Sequence, residues 1–450
     1  MRARSGHLLA AMAALAIAGC AHYAPQPLDT APPATELGGS VARPYLTPVT
    51  IDLARPLDGN AIATIAVIAN PDLKALRARA QIADAQAFSA GLLPDPTFSA
   101  EGDALLSGPD SLANLAAGLG LDLNALRTRG VARARSQSES RQVRLDLAWS
   151  EWQTSGQARL QAVRIQALQG QLAIDAASRD AQNDLLVRTQ RAAGRGDVAG
   201  DQLQTARAGA ADAVVKYDAT ERSLTAARLE LTRLLGLPPQ TPLVLAAPPL
   251  SPPVPPAERL VLLALANRSD LAALRQGYDA QESGLRQAVL DQFPALNLTI
   301  NVNRDTSDNV TLGPLIDFTL PLWNRNRGGI AVERATRDAL KAEYAARLFQ
   351  TRAEITAAVA DIALLRDQRD RLLADMPAVQ AFAGATGRAA ERGDLSPVTA
   401  EAAAQTLRDK QGQVAQAEQD IAELTISLEL LTGTPHALWP APSLQGSSSQ

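Results

Sequence analysis

Arg191-Ala192-Ala193-Gly194-Arg195-Gly196-Asp197-Val198 is followed 197 positions later by Arg388-Ala389-Ala390-Glu391-Arg392-Gly393-Asp394-Leu395. The likeness extends outward from this pair. Asp72-Leu73-Lys74-Ala75-Leu76-Arg77 returns after 198 positions as Asp270-Leu271-Ala272-Ala273-Leu274-Arg275. At the same spacing Pro96 maps onto Pro294, and Arg127-Thr128-Arg129-Gly130 onto Arg325-Asn326-Arg327-Gly328. Leu234-Leu235-Gly236 returns as Leu431-Thr432-Gly433 at 197. Markers that keep one order at one spacing describe a tandem duplication. Two copies are too few for a solenoid, so the repeated unit is itself a large substructure.

Each copy reads as helix, helix, two strands, long helix, glycine turn and return helix. A short helical stretch, Asp58 to Ala69, precedes a longer one, Pro71 to Leu92, which Pro94 and Pro96 stop. A Gly/Ser/Pro/Asp loop, Gly102 to Asp110, separates two short stretches. A helical pattern then runs from about Val131 to Arg191, breaks over Gly194 to Gly200, and resumes to Leu235. The second copy repeats the order: helix to Gln292, stop at Pro294, two strands, a helix from about Gly329 to Arg388, and a last helix to Leu431. That penultimate helix would be on the order of 90 Å long, and Pro377 inside it is expected to kink or break it. The divisions expected are therefore a leader at 1–19, an N-terminal extension at 20–57, repeat one at 58–236, a Pro-rich linker at 237–256, repeat two at 257–435 and a tail at 436–450.

The strands carry the sharpest local pattern. Leu296, Leu298, Ile300 and Val302 alternate with Asn297, Thr299, Asn301 and Asn303. Beyond the Arg304 to Asn309 loop, Val310, Leu312, Ile316, Phe318, Leu320 and Leu322 alternate with mostly polar residues. In the first copy Leu115, Ala117, Leu119, Leu121 and Leu123 do the same. A period of two with one apolar face describes either a half-buried sheet or outer-membrane barrel strands, and about ten residues suffice to cross a bilayer at a tilt. Trp323 is the best candidate for an aromatic girdle that is otherwise thin. Four strands cannot close a barrel, since open edges in lipid would leave backbone groups unpaired. The barrel reading therefore requires oligomerisation, and three copies giving twelve strands is the simplest cyclic case that leaves a pore.

The helices carry seams. Leu203, Ala210, Tyr217, Leu224 and Leu231 step by seven, as do Leu407, Val414, Ile421 and Leu428, which predicts helices packed lengthwise. Of the 450 residues 46% are hydrophobic but only 3% aromatic, so alanine dominates the close-packed interfaces. A net charge of −4 gives no nucleic-acid signature. The three histidines, His7, His22 and His436, and one cysteine cannot assemble a zinc site, so neither a metal site, a cofactor nor an enzymatic activity is expected.

Arg2 and Arg4 precede an apolar stretch, Leu8 to Ala18, which ends in Ile17-Ala18-Gly19-Cys20. This reads as a secretory signal closing on the lipobox pattern of bacterial lipoproteins, which would make Cys20 the acylated first residue of the mature chain, the alternative being an ordinary signal with a stray cysteine nearby. Ala21 after it resembles lipoproteins sorted to the outer membrane.

Asn70-Pro71-Asp72-Leu73, Pro94-Asp95-Pro96, Phe293-Pro294-Ala295-Leu296, the run Leu320 to Gly329 and the two Arg-Gly-Asp turns together resemble the TolC-like outer membrane factor family over nearly the whole mature chain. The resemblance implies a mostly α fold with a membrane β-barrel, in which a duplicated helix–strand–strand–helix–helix unit trimerises into a 12-stranded barrel over a periplasmic coiled-coil tunnel. It implies a passive exit duct in the outer membrane of a Gram-negative bacterium, working with a periplasmic adaptor and an inner-membrane pump of the resistance–nodulation–division class. The Asn-Arg-Asn-x-Gly run at Asn324 to Gly328 is similar to the branch that serves heavy-metal pumps. Carried over, Arg195, Gly196, Asp197, Arg392, Gly393 and Asp394 form periplasmic tip turns where partners dock. Family members close the tip with carboxylates six and nine residues past the glycine, where this chain has Gln202 and Thr205, or Thr399 and Ala402. Asp201 and Glu401 are the nearest substitutes, as aperture carboxylates or as solvated helix-end charges. A duct for type I protein secretion and a non-channel helical lipoprotein are the alternatives.

Overall fold

The computed structural model describes residues 23–28, 37, 43–104, 106–107, 112–247 and 251–440. The leader, Cys20, His7, His22, Asp110, the middle of the linker and residues 441–450 lie outside them. The chain divides into two compact units, Met1–Glu36 and Leu37–Gln450. In the first, residues 23–28 are exposed and belong to no regular element. All that follows concerns the second.

Its elements are α1 (Gly59–Ala69), α2 (Pro71–Ser89), β1 (Thr97–Asp103), β2 (Asn114–Asp122), α3 (Leu123–Gly194) and α4 (Gly200–Leu234), then α5 (Ala257–Asn267), α6 (Ser269–Leu290), β3 (Leu296–Arg304), β4 (Val310–Phe318), α7 (Arg327–Glu391) and α8 (Pro397–Thr432). The duplication is thus structural, with α1–α2–β1–β2–α3–α4 repeated as α5–α6–β3–β4–α7–α8. A 3-10 turn, His436–Leu438, follows the last helix.

The long helices differ from the expected bounds. Helix α3 begins at Leu123, eight residues before Val131, and takes Leu123 and Asn124 out of the strand. Asp122 ends β2 and caps α3 at once, its carboxylate accepting from the Ala125 N–H at 2.8 Å. Strand β4 stops at Phe318, short of Leu322. Helix α2 stops at Ser89 and α6 at Leu290, two or three residues early. Helix α7 runs unbroken through Pro377. One missing backbone bond costs about 3 kcal/mol in a helix interior, which packing along α8 offsets. At 72 and 65 residues, α3 and α7 are each about 100 Å long.

The two repeats build matching cores. Ile62, Ile65 and Ala66 of α1, Ala158 and Ile165 of α3, and Leu224 and Leu231 of α4 form one. Leu260 and Ala264 of α5, Ile355 and Ile362 of α7, and Leu428 of α8 form the other. Ala210, Leu224, Leu231, Ile421 and Leu428 are the buried members of the predicted heptad seams. Helix α3 also lies against α2, α6 and α8, which joins the repeats.

The same closure recurs at the end of each return helix. Gly236 and Gly433 sit at φ +61° and +67°. Leu237 N–H reaches the Thr232 carbonyl at 2.9 Å and Thr434 N–H that of Glu429 at 3.3 Å, the 6→1 bond of a Schellman end. Each glycine abuts the break between the two short helices of its own repeat. A Cβ on Gly236 would collide with the Ala69 carbonyl, and one on Gly433 would sit 3.3 Å from Arg268 Cα. The break residue returns the contact: Asn70 Nδ2 donates to the Leu234 carbonyl at 2.9 Å, and Arg268 Nη1 to that of Leu431 at 3.3 Å. Gly236→Ala should therefore cost roughly 1–3 kcal/mol through backbone strain, read as a lower urea midpoint by far-ultraviolet circular dichroism. Gly170→Ala, in the interior of α3 with nothing within 4 Å of an added Cβ, should instead raise it by roughly 0.5–1 kcal/mol.

Candidate functional site

The four strands form one antiparallel meander in the order β1-β2-β3-β4. Cross-strand register sorts their side chains, because partners directly opposite share a face. Phe98 pairs with Leu119, which pairs with Ile300, which pairs with Pro314. Leu121 pairs with Leu298, which pairs with Ile316, and Leu296 pairs with Phe318. On the opposite face Ser99 pairs with Gly118, which pairs with Asn301, while Asn297 pairs with Asp317. One face is thus mostly apolar and the other mostly polar, with Arg304 at the rim of the first, paired with Leu115 and Val310, and Leu315 on the second, paired with Thr299. The apolar face is the bare one: Phe98, Leu119, Ile300, Leu312, Ile316 and Phe318 are all exposed. A half-buried sheet would turn that face to the helices and the polar face to water. Here no helix covers that face, so it needs an apolar solvent. Strands β1 and β4 are edge strands with one side unpaired in this chain.

At the ends of the long helices the two Arg-Gly-Asp turns adopt one conformation. Gly196 and Gly393 sit at φ +80° and +82°. Asp197 N–H bonds the Ala192 carbonyl at 3.0 Å, and Asp394 N–H that of Ala389 at 2.8 Å. Arg195 Nε meets Asp197 Oδ2 at 2.7 Å, and Arg392 Nε meets Asp394 Oδ2 at 2.9 Å. Nothing lies within 4 Å of a Cβ added at either glycine, so glycine is required for its backbone alone. These pairs are exposed and contribute little to stability; what they present is a matched surface at each turn.

The two candidate carboxylates sit in different surroundings. Asp201 is exposed on the first turn of α4. Glu401 is half-buried in the seam where α3 and α8 run antiparallel, ion-paired to Arg408 and bonded by Gln182 Nε2 at 3.3 Å. Ser178 to Gln405, 2.7 Å, continues that seam. Cys20, the candidate lipid anchor, lies outside the described residues.

Sequence reasoning missed the buried polar clamps. Glu151 on α3 is 1% exposed and holds Arg43 at 2.6 Å and Arg77 at 2.7 Å. Asp175 accepts from Gln171 and Thr220 and pairs with Lys216 at 3.1 Å, which joins α3 to α4. Arg268 is buried between Asp270, at 2.7 Å, and the Trp149 ring, at 4.8 Å. Glu429 takes Arg159 at 2.5 Å and His436 through Nδ1. Glu151, Asp175 and Glu429 read locally as polar positions on amphipathic helices and Arg268 as a charge between two helices, so no spacing signal marks them. Among the described residues no His/Cys/Asp/Glu cluster could hold a metal ion, and no helix is long and apolar enough to cross a membrane.

Residues 260–434 match the family model described as outer membrane efflux protein. No curated protein matches the sequence. Among solved structures the fold is similar to CusC, described for conformational changes that accompany folding and transmembrane channel formation, with a TM-score of 0.70 at 16% identity over 88% of this chain and 99% of that one. The CmeC outer membrane channel of Campylobacter jejuni gives 0.72 at 15% identity over 83% and 85%. The MtrE outer membrane channel of Neisseria gonorrhoeae gives 0.67 at 16% identity over 91% and 97%.

The Glu429 clamp has a measurable pH signature. Burial pushes this carboxyl up, but the His436 hydrogen bond and the Arg159 charge together outweigh burial and hold it below the ordinary glutamate value. A depressed carboxyl stabilises the fold above its unfolded pKa, near 4.3, and that contribution is lost as pH falls through the lower folded value. Arg159→Met should therefore destabilise by roughly 3 kcal/mol at pH 7 in urea titrations. The deficit should shrink below about pH 4 as Glu429 takes up a proton; an equal deficit at both pH values would show that Arg159 acts by packing alone.

Proposed function

This chain has the fold of the TolC-like outer membrane factors and carries an outer membrane efflux protein domain, and from that premise we propose that it is the outer-membrane exit duct of a tripartite efflux system. One observation carries the reading: a sheet with an uncovered apolar face, broken only by Arg304 at its rim, and two edge strands unpaired in this chain. In lipid such a sheet is stable only when its edges find partners. Three copies, with β4 of one beside β1 of the next, give the twelve-stranded barrel, its Asn- and Thr-lined face turned to the pore. Beneath it, α3 with α4 and α7 with α8 continue as a tunnel of about 100 Å. Cys20 is the lipid anchor that holds the chain at the outer membrane.

The Arg195–Asp197 and Arg392–Asp394 turns are then the periplasmic tip, where a periplasmic adaptor and an inner-membrane pump of the resistance–nodulation–division class dock. Their exposure, their matched geometry and their place at the far ends of α3 and α7 support this assignment. Heavy-metal cations are the cargo we assign, on the Asn-Arg-Asn-x-Gly run at Asn324 to Gly328. The duct has no selecting site of its own in this reading; the pump chooses what passes.

The purified, lipidated protein should run as a heat-modifiable trimer and conduct ions in planar bilayers, and a monomer without conductance would overturn the duct. Asp201 and Glu401 would stand near the tip, where like charges around one axis attract cations. Replacing both with Ala should weaken cation selectivity, with Asp201 contributing more because Arg408 already neutralises Glu401. Single-channel currents identical to wild type would make both residues ordinary helix-end charges.

A further inference from the structure

All four crossings between sheet and helices come to one level. Arg129 on the first turns of α3 donates to the Gly91 and Leu92 carbonyls past the end of α2, at 2.9 and 3.2 Å from Nε. Its neighbour Arg127 reaches the Leu290 carbonyl at 3.4 Å and lies 6.0 Å from the Phe293 ring centre, which ties β2–α3 to α6–β3. Asn326 Nδ2 donates to the Ala288 carbonyl at 2.8 Å and brings β4–α7 to the same place. This level is where the apolar face ends.

The duplicated Arg-x-Arg-Gly motif serves differently in its two copies. In repeat one both arginines are engaged, Arg129 by the Gly91 and Leu92 carbonyls past α2 and Arg127 by Asn124 Oδ1 and the Leu290 carbonyl at the end of α6. In repeat two Asn326 has taken over that capping, at the position between the arginines. To do so the backbone is left-handed at both Arg325, φ +46°, and Asn326, φ +51°, a conformation that costs energy for residues other than glycine and persists only where surroundings enforce it. The Arg325 and Arg327 guanidinium groups are thereby released. Both side chains are exposed and, among the described residues, neither forms an ion pair or a side-chain hydrogen bond. Just before them stand Leu320 and Leu322, exposed, and Trp323, 88% exposed.

We propose that Trp323, Arg325 and Arg327 form a headgroup site for an anionic phospholipid of the periplasm-facing leaflet. Indole rings settle at the boundary between acyl chains and headgroups. Arginine forks match phosphate oxygens in pairs and remain charged at every physiological pH. The order along the chain is the order of depth in a leaflet: apolar strand, apolar Leu320 and Leu322, indole, then two free cations within four residues. The site rests on the barrel reading above, and its occupant is chosen by charge, since two guanidinium groups without counter-ions favour a net-negative headgroup over a zwitterionic one.

The test uses the full-length lipidated oligomer in phosphatidylcholine nanodiscs, doped with tail-brominated phosphatidylglycerol or tail-brominated phosphatidylcholine. The signal is the fluorescence quenching that Trp323→Phe removes. In wild type, phosphatidylglycerol should quench at a concentration lower by about fivefold to thirtyfold, the effect of one or two cations at an anionic surface. In the double variant R325Q/R327Q the two lipids should quench alike, and in wild type raised salt should erase the preference. Equal quenching by both lipids in wild type overturns the headgroup site while leaving the barrel intact. Absence of Trp323 quenching by either lipid overturns the barrel reading itself. A double variant that no longer assembles, together with a salt-insensitive preference in wild type, would assign the arginines to a contact between subunits and overturn the proposal.

Discussion

The constraint on which the structure turns is the cross-strand register of a four-stranded sheet. Pairing Leu119 with Ile300, and so on along the ladders, places the apolar side chains of all four strands on one side, Leu315 excepted. A slip of one residue in any ladder would scatter them over both sides. Because that side is bare rather than packed on the helices, the sheet cannot be finished within one chain. Its outer face needs hydrocarbon and its edges need further strands. Everything else follows from meeting those two needs: all the helices leave from one end of the strands, and the helical body begins immediately below, with Asp122 shared between β2 and α3.

Below the sheet the problem is different. Long helices with alanine-rich seams approach closely, but each alanine buries little area and one heptad looks much like the next. Buried charges answer the ambiguity. Glu151, Asp175 and Glu429 each meet partners on a different helix or on the extension before α1, and a slide by one turn would leave a charge buried and unpaired. Such clamps are weak contributors to net stability, since desolvation consumes most of the Coulombic gain. Their cost falls instead on every wrong register.

The duplication shows what such a fold tolerates. The closing glycines, Gly236 and Gly433, keep one backbone geometry, because no other residue reaches it without strain. Their partners have diverged. Asn70 meets the end of α4 with a short amide, whereas Arg268 meets that of α8 with a long guanidinium held by Asp270 and Trp149. A hydrogen bond to a helix-end carbonyl asks only for a donor in reach, so the donor is free to change while the glycine is not.

Sequence alone determined the duplication, the order of elements in each copy, the alternation of the strands and the heptad seams. These are periodic or local properties, carried by residues two, three, four or seven apart. The resemblance to the outer membrane factors rested on the same order and spacing. Boundaries were less legible. Nothing before Val131 in α3 shows helical periodicity clearly, and the helix start at Leu123 is decided by one capping carboxylate. Only the tertiary structure decided that no helix covers the apolar face of the sheet and, among the described residues, that Glu401 is neutralised by Arg408 while Asp201 is not, and that Arg325 and Arg327 stand free where Arg127 and Arg129 do not. Each of these depends on which side chains meet across tens or hundreds of residues. A chain records the chemistry of such groups but not their distances, and it is distance that decides whether a charge is paired, a face is covered or a donor is spent.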